Sequence, residues 1–373
     1  MGSRSFGANG SGKSSLIDAM AFMSRFVRMS FRNEAGQGID VDPFLFHSEW
    51  RERPSEFEAI FIHEETLYQY GFAISHERVV DEWLFARPKS TGRQRQLFTR
   101  SYDVQTDSYE WDISSVHLKG ERDSWRSQTR PDALFLSTAV QLNAKGLSGA
   151  YEWLVLMLRT LKAPDSRQLD YTERRFGEEG WKTRIIEFLK ATDVAVSDIR
   201  VTEAKVLDND EIPGPIRDLI RNDNPDAKHY SIDFMRHDEQ KRLMPLPFVE
   251  ESTGTQNLFG LAGPVLDVLD NGFTLIVDEL NSGLHPLAFQ HLIGLFCDPN
   301  LNTRNAQLIF TTHDSSLLDS DCIGRDQIWI VEKGRDLAAE LIPLTDFKPR
   351  QDAAGFQKRY LQGRFGGVPR LTA

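Results

Sequence analysis

The chain has 373 residues, 40% hydrophobic and 27% charged, with 55 acidic against 44 basic side chains and a formal net charge of −11. This is the makeup of a globular protein with room for about two or three folding units, not of a disordered or fibrous chain. Its overall field does not attract nucleic acid, which leaves only a local basic groove for such a role. No window nears the roughly 18 consecutive apolar residues of a membrane span and no signal peptide precedes the first motif. Cys297 and Cys322 show no metal-ligand or disulfide pattern, so the expected compartment is a reducing cytoplasm.

In chain order, the glycine-rich string Gly7–Ser14 comes first, and the apolar period from Ser14 to about Met29 predicts a helix. The β-branched and aromatic runs Glu56–His63, Thr66–Ser75, Arg78–Arg87 and Gln94–Arg100, separated by turn residues, predict an antiparallel meander. Ala133–Ala139 reads as a further strand, and Glu152–Leu161 and Trp181–Ala191 as amphipathic helices. A loop at Asp208–Pro215 and strands at Ser231–Arg236 and Leu243–Val249 follow. Beyond Glu251, strand and helix alternate: Phe259–Leu269 helical, Phe273–Val277 extended, Pro286–Phe296 helical, then strands at Gln307–Thr311 and Gln327–Val331. Such alternation predicts a parallel sheet. The expected class is therefore α/β, a mixed sheet core with an antiparallel meander and an inserted helical lobe. Its expected divisions are residues 1–145, 146–250 and 251–373.

Gly7-Ala8-Asn9-Gly10-Ser11-Gly12-Lys13-Ser14 satisfies G-x-x-x-x-G-K-[ST] at every position. Glycines in such a loop let successive N–H groups turn inward onto phosphate oxygens, and the helix that follows adds its positive end. Gly7, Asn9, Gly10, Gly12, Lys13, Ser14 and Ser15 are the candidate nucleotide ligands, with Lys13 on the β- and γ-phosphates and the Ser14 hydroxyl on Mg²⁺. An ordinary glycine-rich loop can carry the same string, so a partner motif has to decide.

That partner is Phe273–Glu279, an apolar run ending in two adjacent carboxylates. Charges at the end of a buried strand are costly unless they emerge beside a cation. The expectation is Asp278 in the Mg²⁺ shell and Glu279 as the base that orients and deprotonates water. Most of the chain separates Lys13 from Asp278. Compact P-loop kinases and GTPases place the acid much sooner, whereas heads of the ABC type have a lobe inserted there.

Three further strings agree. In Glu251–Gln256, Ser252, Gly254 and Thr255 stand at a helix start, either as a γ-phosphate contact or as a simple cap. Asn281–Pro286 stands where ABC heads place the loop that crosses the dimer seam. Leu308–Asp314 is an apolar strand ending in His313, a candidate γ-phosphate sensor. Gln141 is a weaker candidate Mg²⁺ contact. The short basic strings at Arg93–Arg95 and Arg174–Arg175 read as solvated faces.

With these motifs in order, the chain resembles the ABC-type AAA-family ATPases of bacterial abortive infection, the AbiL/RloA-like group related to SMC, RecF and OLD heads. Besides the motifs, the resemblance rests on Pro43–Leu45, Pro54–Glu58, Tyr70–Phe72, Glu82–Leu84 and the tail Tyr360–Pro369. It implies an ATP- and Mg²⁺-dependent ATPase, a head-to-head dimer or higher oligomer, and an antiphage role. It also implies a separate effector, nuclease or toxin, encoded nearby. A non-hydrolysing scaffold that sequesters a toxin and a RecF-like DNA-repair head are the alternatives. Two departures stand out. Only Met1–Phe6 precede the P-loop, where the family has a longer segment, so either the start is shortened or a neighbouring strand fills the gap. No Toprim-like acidic region follows His313, so nuclease chemistry is not expected of this chain.

Overall fold

A computed structural model describes residues 3–8, 10–34, 36–162, 166–205, 214, 228–320, 322–347 and 355–369. The chain divides into two compact units, each built from separated segments. The first comprises Met1–Phe6, Leu161–Trp329 and Pro343–Val368; the second comprises Gly7–Thr160, Ile330–Ile342 and Pro369–Ala373.

In the second unit, Gly12 opens the helix Lys13–Met29, and a meander of five antiparallel strands follows in sequential order. The strands are Ser55–His63, Thr66–Ile74, Val79–Pro88, Arg95–Asp103 and Ser108–Ile113. The first hairpin pairs His63 with Thr66, so Glu64 and Glu65 alone make the turn, and both take positive φ. That is the backbone a two-residue hairpin demands, usually supplied by Asn-Gly. One face of the sheet packs on the helix: Phe26, Phe61, Tyr70, Phe72, Leu84 and Phe98 share one core with Phe135 and Leu154. The fifth strand, Ser108–Ile113, was not expected. Its alternation Tyr109, Trp111, Ile113 against Ser108, Glu110 and Asp112 is the signal that could have revealed it.

Two expectations in this unit are corrected. The segment read as a strand at Ala133–Ala139 is a helix, Phe135–Gln141. Its first amides, Phe135 and Leu136, donate to the buried carboxylate of Glu82 at 2.6 and 2.9 Å, an anion cap that sequence distance concealed. The helix expected at Glu152–Leu161 stops at Glu152, widens into a π turn at Trp153–Met157, and continues as the strand Leu158–Lys162.

In the first unit, Ser3–Phe6, Gln307–Thr311 and Thr274–Asp278 lie side by side and parallel, with Arg4 opposite Phe310 and Val277 opposite Phe310 from the other side. Ser3–Phe6 is thus a strand that leads directly into the P-loop. The strand Thr274–Asp278 is buried from Thr274 to Val277, as a parallel strand covered on both faces should be. A small antiparallel sheet, Asp198–Lys205, Lys228–His237 and Leu243–Pro247, belongs to the same unit, while the expected loop at Asp208–Pro215 lies outside the described residues apart from Gly214.

The helix Thr253–Asn271 shows how tertiary contact rescues a sequence conflict. Pro264 lies inside it and has no N–H for the carbonyl of Gly260. Thr172, from the helix Ser166–Phe176, donates its hydroxyl to that carbonyl at 3.0 Å and accepts the Gly263 N–H at 3.1 Å. Finally, Cys297 and Cys322 form a disulfide. This corrects the expectation of unpaired thiols: 25 residues apart, one closes the helix Pro286–Cys297 and the other follows the turn Ser315–Asp319, and only folding brings them together.

Candidate functional site

The P-loop belongs to the second unit. Gly12 has φ 108° and stands at the N-cap of the helix Lys13–Met29 with no side chain capping it. A helix start leaves its first N–H groups unpaired, and this one has no acidic residue in its first turn. A Cβ at Gly12 would lie 2.6 Å from that of Ala339, so only glycine fits both the dihedral and the space. Lys13 is buried, and its Nζ donates back to the carbonyls of Gly7 and Ala8 at 2.7 and 2.9 Å. Ser14 and Ser15 are exposed, and the buried Ser11 hydroxyl has no hydrogen-bond partner. Open amides, a lysine folded over them and an orphaned hydroxyl fit a polyphosphate. Asn9 lies outside the described residues. Gln141 ends the helix Phe135–Gln141 of the same unit; it is exposed, with its amide 3.5 Å from the Tyr151 hydroxyl.

The acids belong to the first unit. Asp278 closes its strand half-buried, and Glu279 turns out of it exposed, with φ 50°. A left-handed glutamate is uncommon. It is held by Thr311, which was not singled out from the sequence: the Thr311 hydroxyl donates to Asp278 Oδ1 at 2.5 Å and accepts the Glu279 N–H at 2.8 Å. Thr311 is wholly buried, so one hydroxyl on the neighbouring strand fixes both acids. Past the strand end, His313 Nε2 lies 3.5 Å from Glu279 Oε1. Thr312 in turn bonds Asn281 Oδ1 at 2.8 Å and accepts the Asp314 N–H at 3.0 Å. The double hydroxyl in Thr311-Thr312-His313 was the available signal.

Ser252 caps the helix Thr253–Asn271, its hydroxyl accepting the Thr255 N–H at 3.2 Å and lying 2.9 Å from the Thr255 hydroxyl. At Gly254, a Cβ would meet the Gly283 carbonyl at 2.5 Å. The amide of Asn257 donates to the Ser282 carbonyl at 3.0 Å. The helix start and the loop after the acids are thus in direct contact, and they line a cavity of about 610 Å³ with Arg236 and His285. Within this unit the structure brings together Asp278, Glu279 and His313, and separately Ser252, Gly254 and Thr255 with the Asn281–His285 loop. Among the described residues, no group of three or more His, Cys, Asp or Glu side chains could by itself hold a metal ion, and no helix is long and apolar enough to cross a membrane.

Comparison with curated proteins finds no match. Among solved structures, cbiO1 from Clostridium perfringens, part of the ABC transporter complex cbiONQ, is similar at 14% identity with a TM-score of 0.28. The similarity covers 58% of this chain and 67% of that one. A family described as "AAA domain, putative AbiEii toxin, Type IV TA system" matches residues 6–319. That span takes in the P-loop, both acids and His313, so the chain belongs to this family of AAA-domain P-loop ATPases.

Proposed function

We propose that the chain binds and hydrolyses ATP with Mg²⁺, as an ABC-type head that works as a dimerising switch. The observation that carries this reading is the Thr311 bridge, which holds a left-handed Glu279 next to Asp278 at a strand end, within reach of His313. Bound Mg²⁺ would neutralise charge on the phosphates as the terminal bond breaks. Lys13 and the open amides at the helix start hold phosphate oxygens, while Ser14 and Asp278 supply metal ligands, with Gln141 as a further contact. Glu279 takes the proton of the attacking water, and His313 hydrogen-bonds the γ-phosphate and registers its loss.

The bond between Ser252 and the Thr255 N–H makes the cap real, and it leaves the exposed helix start beside Gly254 for a phosphate from a second copy. Two sandwiched nucleotides would then hold a closed dimer, and hydrolysis would release it. In this reading residues 1–145 and 251–373 are the two ATPase lobes and residues 146–250 the insert between them. The family description names a type IV toxin–antitoxin system, which supports an abortive-infection role; a separately encoded effector is part of the same proposal. The test is Glu279→Gln: phosphate release is expected to fall at least a hundredfold, with an ATP-dependent dimer accumulating in sedimentation. Unchanged turnover and unchanged mass would refute the switch.

A further inference from the structure

The first strand of the meander, Ser55–His63, pairs with Thr66–Ile74 on one side, and among the described residues no strand lies on the other. Its two-residue turn closes on the pair His63–Thr66, and the register runs from there to Ser55 without a bulge. The closing pair of such a hairpin is hydrogen-bonded, and bonded and non-bonded pairs then alternate along the ladder. Odd-numbered residues therefore bond to Thr66–Ile74, while the N–H and C=O groups of Glu56, Glu58, Ile60 and Ile62 point to the unpaired side. Folded proteins blunt such edges with short strands, proline, lysine or bulges. The edge strand Leu243–Pro247 of the first unit does so, with five residues and two prolines among them. Ser55–His63 has nine residues and none of these devices.

The side chains of the same four residues share the outer face of the sheet. Ile60 and Ile62 are 62% and 69% exposed, and Glu56 and Glu58 are exposed beside them. Glu58 is held in place, its Oε2 accepting from Trp83 Nε1 at 2.8 Å and from Gln69 Nε2 at 2.9 Å. Trp83 lies two strands away and reaches Glu58 across Gly71, where a Cβ would stand 2.3 Å from the indole. Three strings set apart in the sequence, Pro54–Glu58, Tyr70–Phe72 and Glu82–Leu84, thus meet in one row that ends in a carboxylate at the sheet edge. With Oε2 occupied, Oε1 is left to accept a further donor.

We propose that this edge receives an extended segment of a partner protein as an added antiparallel strand, with two apolar and then two basic side chains at alternate positions. In such additions main-chain hydrogen bonds supply affinity and alternate side chains supply selectivity. Running antiparallel, the segment meets Ile62 first, then Ile60, Glu58 and Glu56, which sets the order apolar, apolar, basic, basic. Lysine or arginine opposite the two glutamates gives each carboxylate a cation, and opposite charges across a ladder attract. A second copy of Ser55–His63 is the poorer occupant. Centred on Ala59, where all four outward residues find partners, it sets Glu58 against Ile60 and Glu56 against Ile62, and no carboxylate gains a cation. Centred on Glu58, it sets like charges face to face.

The test titrates the full chain into a labelled, end-capped peptide and follows fluorescence anisotropy. In the peptide, threonine alternates with isoleucine, isoleucine, lysine and lysine in that order. Saturable binding is expected, weaker by about tenfold or more when the order of the four is reversed or when the amides of the second isoleucine and first lysine are methylated. Generic charge attraction would survive both changes. Glu56→Lys, a change on the exposed face, is expected to weaken binding several-fold and to regain it with a peptide whose last lysine is glutamate. Ile60→Pro removes one outward donor and leaves the ladder to Thr66–Ile74 in place; it is expected to abolish binding, and the Glu56→Lys exchange stands as a reading independent of its folding. No binding, equal binding of the reversed or methylated peptide, or indifference to Glu56→Lys would overturn the assignment. So would a nucleotide-free wild-type dimer in sedimentation that Ile60→Pro dissolves, since the edge would then belong to a second copy.

Discussion

At the level of single residues, Thr311 sets the geometry of the acids more than the acids do themselves. An exposed carboxylate after a strand has many accessible directions; Glu279 takes a left-handed φ because its N–H is held by a buried hydroxyl that also bonds Asp278. Thr311→Val keeps the shape and removes both bonds. It leaves a backbone N–H without its partner, a cost of about 1–3 kcal/mol, and frees Glu279 to drift. ATP turnover is expected to drop by up to about a hundredfold, the scale of a misplaced catalytic group, whereas Thr311→Ser should stay near the wild type. Phosphate-release kinetics on the two variants, with urea unfolding alongside, check this; a fully active Thr311→Val would remove the bridge from the argument. The placement of Glu279 and His313 at strand ends was legible from the sequence because each follows an apolar run. Thr311 was not, because a threonine inside a strand is ordinary until its neighbour strand is known.

Among the elements, the helix Phe135–Gln141 is the case where local preference was overruled. Leu134, Phe135, Leu136 and Val140 look like a buried strand, and the deciding group is Glu82, which accepts the Phe135 and Leu136 amides and the Tyr70 hydroxyl. Burial pushes the Glu82 carboxyl up, an effect that Arg100 and these hydrogen bonds oppose. A carboxyl with a raised folded value holds a proton that the unfolded chain releases between its ordinary value near 4.5 and the folded one. Its contribution to stability therefore falls as pH rises through that window and is fully present below it. Arg100→Met strips Glu82 of its counter-charge and is expected to destabilise the chain by about 3–5 kcal/mol near neutral pH, with a smaller loss at pH 4.5, where a protonated Glu82 needs no partner. Urea midpoints at the two pH values measure it; an equal loss at both would show that Arg100 acts through packing on Tyr109 and Trp111 instead.

For the molecule as a whole, the bond that composition argued against is the disulfide. Cys297 and Cys322 close a loop whose ends are 25 residues apart, and a cross-link of that span stabilises by roughly 3–4 kcal/mol through the unfolded chain's lost entropy. Cys297→Ala, or reduction of the wild type, is expected to lower the urea midpoint accordingly, with the variant indifferent to dithiothreitol. A wild-type midpoint that does not move on reduction would mean that the thiols are not joined in solution.

The sequence by itself determined the class, the P-loop, the strand–acid motif and most of the helices and strands, because these are written in local order: glycine spacing, apolar period and charge at a run's end. What it left open was decided by partners far along the chain. Glu82 turns a strand-like run into a helix, Thr172 repairs the break at Pro264, Thr311 aims Glu279, two distant cysteines meet, and Arg4 is buried with nothing to pair it. In each case the energy lies in satisfying or stranding a polar group once water is gone, and which groups lose their water is a property of the folded packing alone.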